Sequence, residues 1–186
     1  MYEEIKIEKV EEYCGLCEDY AKKNLTNPTK IAIISCEGAC ARGEVSRRAA
    51  NLISHKIAKE NTVRICLGGA FTKEGGQRNL VREAHKAIAI EGCFINCSSR
   101  MMKGVIPELE PLVVQADKIY SKDLPFGIDE VTDEEFNECA KMVAEEIVEK
   151  YIYGDSVPEI SSEECSSNSN IGCCSANNDS KSSCCK

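Results

Sequence analysis

Short runs of β-branched residues alternate along this chain with segments whose apolar residues recur every three or four positions. The first such run, "KIAIIS", is a continuous apolar stretch of strand length at 31–35, entered through Asn27-Pro28, a turn signal. Beyond it Val45, Ala49, Leu52, Ile53 and Ile57 fall at helical offsets with Arg47, Arg48 and Lys59 between them, so an amphipathic helix is expected to run to about Asn61. The same two signals then return. "VRICL" at 63–67 reads as a second strand left through Gly68-Gly69, and Leu80, Val81, Ala84 and Ala87 read as the face of a second helix. "AIAI" at 87–90 reads as a third strand. After Gly92 a third helix carrying Met101 and Met102 should stop near Pro107, and "LVVQ" at 112–115 is a fourth strand. A closing helix over 133–151 would place Phe136, Ala140, Val143 and Ile147 on one face, behind a capping box of Thr132 and Glu135.

Strands separated by helices in this order form parallel sheets, because parallel neighbours need crossover connections and these are right-handed. The expected fold is α/β, a Rossmann-like parallel sheet of about four strands with helices on both faces, in a domain spanning 30–153. Residues 1–29 are expected to add an N-terminal helical segment, since Val10, Tyr13, Cys17 and Tyr20 are spaced three or four apart. That segment carries the C-x-x-C pair Cys14 and Cys17. Residues 154–186 are expected to be a disordered tail, because "SSEECSSNSNIGCCSANNDSKSSCCK" offers one large apolar residue, Ile171, to a core.

Charge and composition narrow the function classes. Twenty-three basic against 31 acidic residues give a net charge of -8, with no Lys or Arg run longer than two, so nucleic acid is not an expected partner. No stretch approaches the roughly 18 apolar residues of a membrane span, and the acidic, amphipathic start is unlike a signal peptide. A cytoplasmic location without membrane association is expected. Neither G-x-G-x-x-G after the first strand nor G-x-x-x-x-G-K-[ST] occurs, so no nucleotide cofactor is indicated.

Thirteen cysteines change the picture more than any other count. In a reducing compartment they point to metal or redox chemistry ahead of disulfides. Cys36 follows the first strand, Cys66 ends the second and Cys93 follows the third, so all three fall at the carboxyl edge, where adjacent strands are about 4.8 Å apart. Cys40 and Cys97 each come four residues later, near the next helix start, where unpaired N–H groups and the helix dipole favour a thiolate. Five thiols are therefore expected in one crevice. Taken singly, each could equally be a packed core cysteine; repetition at three successive strand–helix junctions is what favours a site. Thiolate-rich sites suit zinc, copper(I) or iron–sulfur clusters and do not suit magnesium or calcium.

"SCEGACARGEVSRRAANLI", "VRICLGGAF" and "IEGCFINCSSRMMKGV" resemble the DGC-domain family over about residues 30–150. That family is named for an Asp-Gly-Cys motif and is associated with zinc held by its cysteines, which implies a metal-ligand role for Cys36, Cys40, Cys66, Cys93 and Cys97. The motif here is Glu91-Gly92-Cys93, which keeps the carboxylate but lengthens its reach, and no ligand role is assigned to Glu91. The expected function is thiolate-based binding of a metal ion, zinc first. A thiol redox or metalloid- or sulfur-handling enzyme using the same cysteines, and an iron–sulfur protein, are the alternatives.

Several residues weigh on that choice. His55 and His85 lie late in their helices and are expected at the surface, out of reach of Cys36 and Cys93, which leaves a cysteine nucleophile without a base. Arg100 and Lys103 read as solvated positions on the third helix. Cys14 and Cys17 have helical flanks where a redox pair needs a strand before it, so packing is favoured over metal or redox work, with a cluster completed by a partner chain also open. In the tail, Cys165, Cys173, Cys174, Cys184 and Cys185 are expected to bind or hand over a thiophilic ion.

Overall fold

The computed structural model describes residues 6–154. In chain order the principal elements are α1 (Gly15–Asn24), β1 (Ile31–Ser35), α2 (Ala41–Leu52) running into a π-helical turn (Ile53–Ile57), β2 (Thr62–Arg64) and the single turn α3 (Leu67–Ala70). Then follow α4 (Gly76–Glu83), β3 (Ala87–Glu91), α5 (Cys97–Val105), β4 (Leu112–Gln115) and α6 (Asp133–Ile147), the last continuing as a π-helical turn (Val148–Tyr153).

The four strands form one parallel sheet in the order β2-β1-β3-β4. From β1 the chain steps one way to β2, then crosses back over β1 to β3 and continues to β4. Right-handed crossovers in opposite directions place their helices on opposite faces. Accordingly Ile31, Ile33, Ile88 and Ile90 pack towards the α2 and α6 side with Val45, Ala49, Phe136 and Val143. Ala32, Ile34, Ala87 and Ala89 face the other layer, with Ala21 of α1, Leu80 of α4 and Met102 of α5. Every residue of β1 and β3 is buried, as a strand covered on both faces must be. The α/β fold with helices on both faces is thus the one expected. Thr132 and Glu135 form the capping box of α6, with Glu135 N–H donating to Thr132 Oγ1 at 3.3 Å and Thr132 N–H to Glu135 Oε2 at 3.2 Å.

Three local readings are corrected. The N-terminal helix begins only at Gly15, so Cys14 is its N-cap in extended backbone and Cys17 lies in its first turn. The second strand stops at Arg64 instead of 67: Ile65 N–H still donates to Ile33 O at 3.0 Å, but the Cys66 amide turns to Gln77 Oε1 at 2.9 Å. The second helix ends at Glu83, because Ala84 is already extended (ψ 130°), and Ala87 belongs to β3 alone. The third helix starts at Cys97, near which its start was expected. The expected tail lies outside the described residues beyond Gly154, together with its five cysteines. No described helix is long and apolar enough to cross a membrane.

Candidate thiol sites at the carboxyl edge of the sheet

The direction in which strands are added to the sheet reverses between β1 and β3, and in open parallel sheets the crevice beyond the strand ends at such a switch point is where ligands bind. Register puts Ser35 beside Ile90, so the two chains leave the sheet together, and Cys36 N–H donates to Ile90 O at 2.9 Å. The loops then pack backbone on backbone. A Cβ on Gly92 would lie 2.8 Å from the Arg42 carbonyl carbon and the Gly43 nitrogen, and one on Gly43 would lie 2.9 Å from Gly38 O. Gly92 therefore lets the β3–α5 loop pack on the first turn of α2, and Gly43 lets that turn pack on the Gly38 backbone, which a side chain at either position would prevent.

Cys36 is buried at this junction, with its sulfur accepting from the amides of Gly38 and Gly92. Burial pushes its thiol above the ordinary value; the two amides pull it down, and negative charge at Cys97 and Glu91 pushes it up again. Cys40, half-buried, is the N-cap of α2. A Cβ on Gly38 would stand 3.2 Å from Cys36 Sγ and 3.9 Å from Cys40 Sγ, so both sulfurs flank one glycine. Cys97 opens α5 and Cys93 sits in the preceding turn, both half-buried, with Asn96 N–H donating to Cys93 O at 3.2 Å.

Glu91 explains the carboxylate of the Glu-Gly-Cys motif. Fully buried, it accepts Ser98 Oγ–H at 2.7 Å, Ser98 N–H at 3.2 Å and Ser99 N–H at 2.7 Å. It thus satisfies orphan donors at the α5 N-terminus and places a negative charge at the positive end of the helix dipole. Its role is to aim α5, and with it Cys97, at the crevice.

Cys66 goes elsewhere. As N-cap of α3 it accepts Gly69 N–H at 3.4 Å, and the thiol of Cys17 lies within hydrogen-bond reach of both Cys66 and Cys14. Cys14, exposed at the α1 N-cap, makes no side-chain cap hydrogen bond, but the polarity of the nearby Cys17 amide, the Cys17 thiol and the Leu16 amide holds its thiol below the ordinary value. Cys17 goes the other way. Burial first, and then donation to Cys14 and the neighbouring sulfurs, push its thiol up to about 11. The five expected cysteines thus divide, with Cys36, Cys40, Cys93 and Cys97 at the β1/β3 crevice and Cys66 paired with the N-terminal segment.

An open groove of about 510 Å³ runs beside this second group, lined by Leu16, Cys17, Tyr20, Cys66 and Leu67 with His55 on its wall. His55 is exposed, as expected, and shares a groove with Cys66; burial followed by the nearby Arg64 charge pushes its imidazole below the ordinary value. His85 is also exposed, 3.2 Å from Thr29 Oγ1. Between the two thiol groups stands Arg64, which donates to Ser35 Oγ at 2.6 Å, Ile65 O at 2.6 Å and Asn51 Oδ1 at 3.1 Å and pairs with Glu37. A lone Arg in a strand carries no sequence signal for this role. For α1 a signal existed: Glu18 in the first turn and Lys22 and Lys23 in the last complement the helix dipole and bracket a start near Gly15.

Among the described residues, no three His, Cys, Asp or Glu stand close enough in this arrangement to hold one metal ion. What the crevice offers is soft donors: thiols from two loops, with amides aimed at the sulfur of Cys36. That donor set fits a thiophilic ion and not a hard one.

No curated protein and no solved structure matches the chain. A family model, the DGC domain, matches residues 32–143, which takes in β1 through most of α6 and all four crevice cysteines. On that match the chain belongs to the DGC-domain family.

Proposed function

We propose that this protein binds one thiophilic metal ion, zinc in the first place, through Cys36, Cys40, Cys93 and Cys97. The observation that carries the reading is that the Cys36 and Cys40 sulfurs flank Gly38 at the switch point while Cys97 lies near enough for its charge to act on Cys36. Cys66 drops out of the ligand set because its neighbours are Cys17 and Gly69. A four-thiolate set leaves no open coordination position, so the ion would be structural, a link between the β1–α2 and β3–α5 loops. Binding would require the four side chains to rotate, since the sulfurs do not stand at ligand spacing in this arrangement.

The test uses the full chain with its five tail cysteines changed to serine, purified without oxygen. Elemental analysis should find one zinc per chain, and four thiols should become titratable on chelation. Cys36→Ser and Cys97→Ser should each lose the ion while Cys139→Ala, a buried α6 position, keeps it. Iron with visible absorption would replace zinc by a cluster on the same residues. A metal-free protein whose thiol count ignores chelation would overturn the reading.

A further inference from the structure

We propose that Cys14 and Cys17 form a second, separate site: a dithiol that reduces a disulfide bound in the groove between α1 and α3, with Cys66 as a third thiol that can take the resulting protein disulfide from the pair. Both N-terminal cysteines lie outside the matched domain, which begins at residue 32.

Cys14 is exposed at the N-cap of a ten-residue helix, beside the Leu16 and Cys17 amides of its first turn, a setting in which a thiolate is stabilised and an incoming sulfur can reach it. Cys17 is half-buried in the first turn of the same helix, its thiol within hydrogen-bond reach of both Cys14 and Cys66, and Cys17 and Cys66 line the same groove. One exposed sulfur backed by one sheltered sulfur is the division of labour that disulfide exchange requires: the first attacks, the second resolves. The thiol shifts described above run in the same sense. The groove supplies the substrate's place, since Leu16, 82 % exposed, with Tyr20 and Leu67 gives apolar contact next to the thiols. Its occupant is therefore a disulfide with apolar flanks, whether a small molecule or a bridged peptide.

The chemistry balances without any further group. The Cys14 thiolate attacks one sulfur of R–S–S–R′, forming Cys14–S–S–R and releasing R′–S⁻, which takes up a proton. Cys17 loses its proton and attacks Cys14 Sγ, forming the Cys14–Cys17 disulfide and releasing R–S⁻, which is protonated in turn. The substrate gains two electrons and the protein dithiol loses them. Cys66, deprotonated, can next attack Cys17 Sγ, giving Cys17–Cys66 and freeing Cys14. A low-molecular-weight dithiol closes the cycle by reducing the protein disulfide.

The experiment uses the full chain with the five tail cysteines replaced by serine, reduced and then exposed either to bis(2-hydroxyethyl) disulfide or to a short cystine-bridged peptide with apolar flanks. Released thiols are counted and protein disulfides located by peptide mass mapping. The unaltered body should release two thiols per chain and carry Cys14–Cys17 or Cys17–Cys66. Cys17→Ser should release one thiol and accumulate the mixed disulfide at Cys14; Cys14→Ser, an exposed position that the fold tolerates, should slow release by about tenfold or more. Faster turnover of one probe identifies the source of the substrate. Two results would sink the proposal: a Cys17→Ser chain whose mixed disulfide spreads over Cys66 and Cys93 as readily as Cys14, or a Cys17→Ser chain that loses bound zinc, which would make the pair metal ligands. Loss of zinc from Cys36→Ser with disulfide exchange intact would leave both sites standing as independent.

Discussion

The two groups of sulfurs at the carboxyl edge are built in opposite ways. Around Cys36 the construction is backbone: strand register, three touching glycines and a buried carboxylate leave the loops no alternative course. Around Cys17 it is a docked helix. Glu18 Oε1 accepts Gly76 N–H at 2.8 Å, and Ala21, the one buried residue of α1, sits where a Cβ on Gly76 would come to 2.5 Å of its own. The difference teaches that a site inherited from the sheet order is rigid, whereas a site assembled by an appended helix can be rearranged without touching the sheet.

The strongest way to break the comparison is Gly92→Ala. Its Cβ would meet backbone atoms that cannot rotate away, so we expect a loss of about 2–4 kcal/mol in urea unfolding and with it the crevice, while Gly68→Ala, with nothing within 4 Å, should stay within about 0.5 kcal/mol. Next is Glu91→Gln. Replacing one acceptor oxygen by a donating amide leaves a helix donor unsatisfied and removes the charge at the dipole, at a cost of about 1–3 kcal/mol by the same measurement. Gly76→Ala separates the two sites: it should push α1 off α4, abolish Cys17–Cys66 disulfide formation and leave metal content at the crevice unchanged, as mapped disulfides and elemental analysis would report.

Smaller effects sharpen the contrast through pH. In timed alkylation near pH 8, Cys14 should react first and Cys17 should lag until the pH nears 11. Acid stability reports a different part of the molecule, the α2–α6 interface. Burial pushes the Glu44 carboxyl up, but Arg47 and Arg48, donating at 2.7 Å, hold it below the ordinary value on balance. A carboxyl depressed on folding stabilises the protein above its unfolded value of about 4.3, and that contribution disappears as pH falls through the lower folded value. Glu44→Gln should therefore flatten the acid limb of a stability–pH curve without altering reactivity at either thiol group.

Much of this was legible in the sequence, for physical reasons that differ by element. β1 and β4 were readable to the residue because β-branched runs end abruptly at Ser35 and Gln115, and the capping box at Thr132 and Glu135 announced α6. "VRICL" misled because an apolar run continues past the point where the Cys66 amide leaves the ladder for Gln77; hydropathy does not register a change of hydrogen-bond partner. The grouping of Cys36, Cys40, Cys93 and Cys97 followed from strand order, while the departure of Cys66 depended on where α1 docks. Nothing local to Cys66 encodes that. The helical periodicity around Val10 and Tyr13 likewise suggested helix on both sides of Cys14, where the chain before the cap is in fact not helical.

Helix α1 fully buries only Ala21 along ten residues, and beyond that methyl and the half-buried Tyr20, whose hydroxyl accepts Arg64 N–H at 3.2 Å, it is held by the Glu18 carboxylate on Gly76 N–H and by Asn24 on Lys30. It is accordingly the element that opens locally, before any cooperative melting of the strands. Amide hydrogens of 15–24 should exchange with deuterium well ahead of those of 87–91, and in that opened state Cys17 parts from Cys66 while the crevice of Cys36 stays shut.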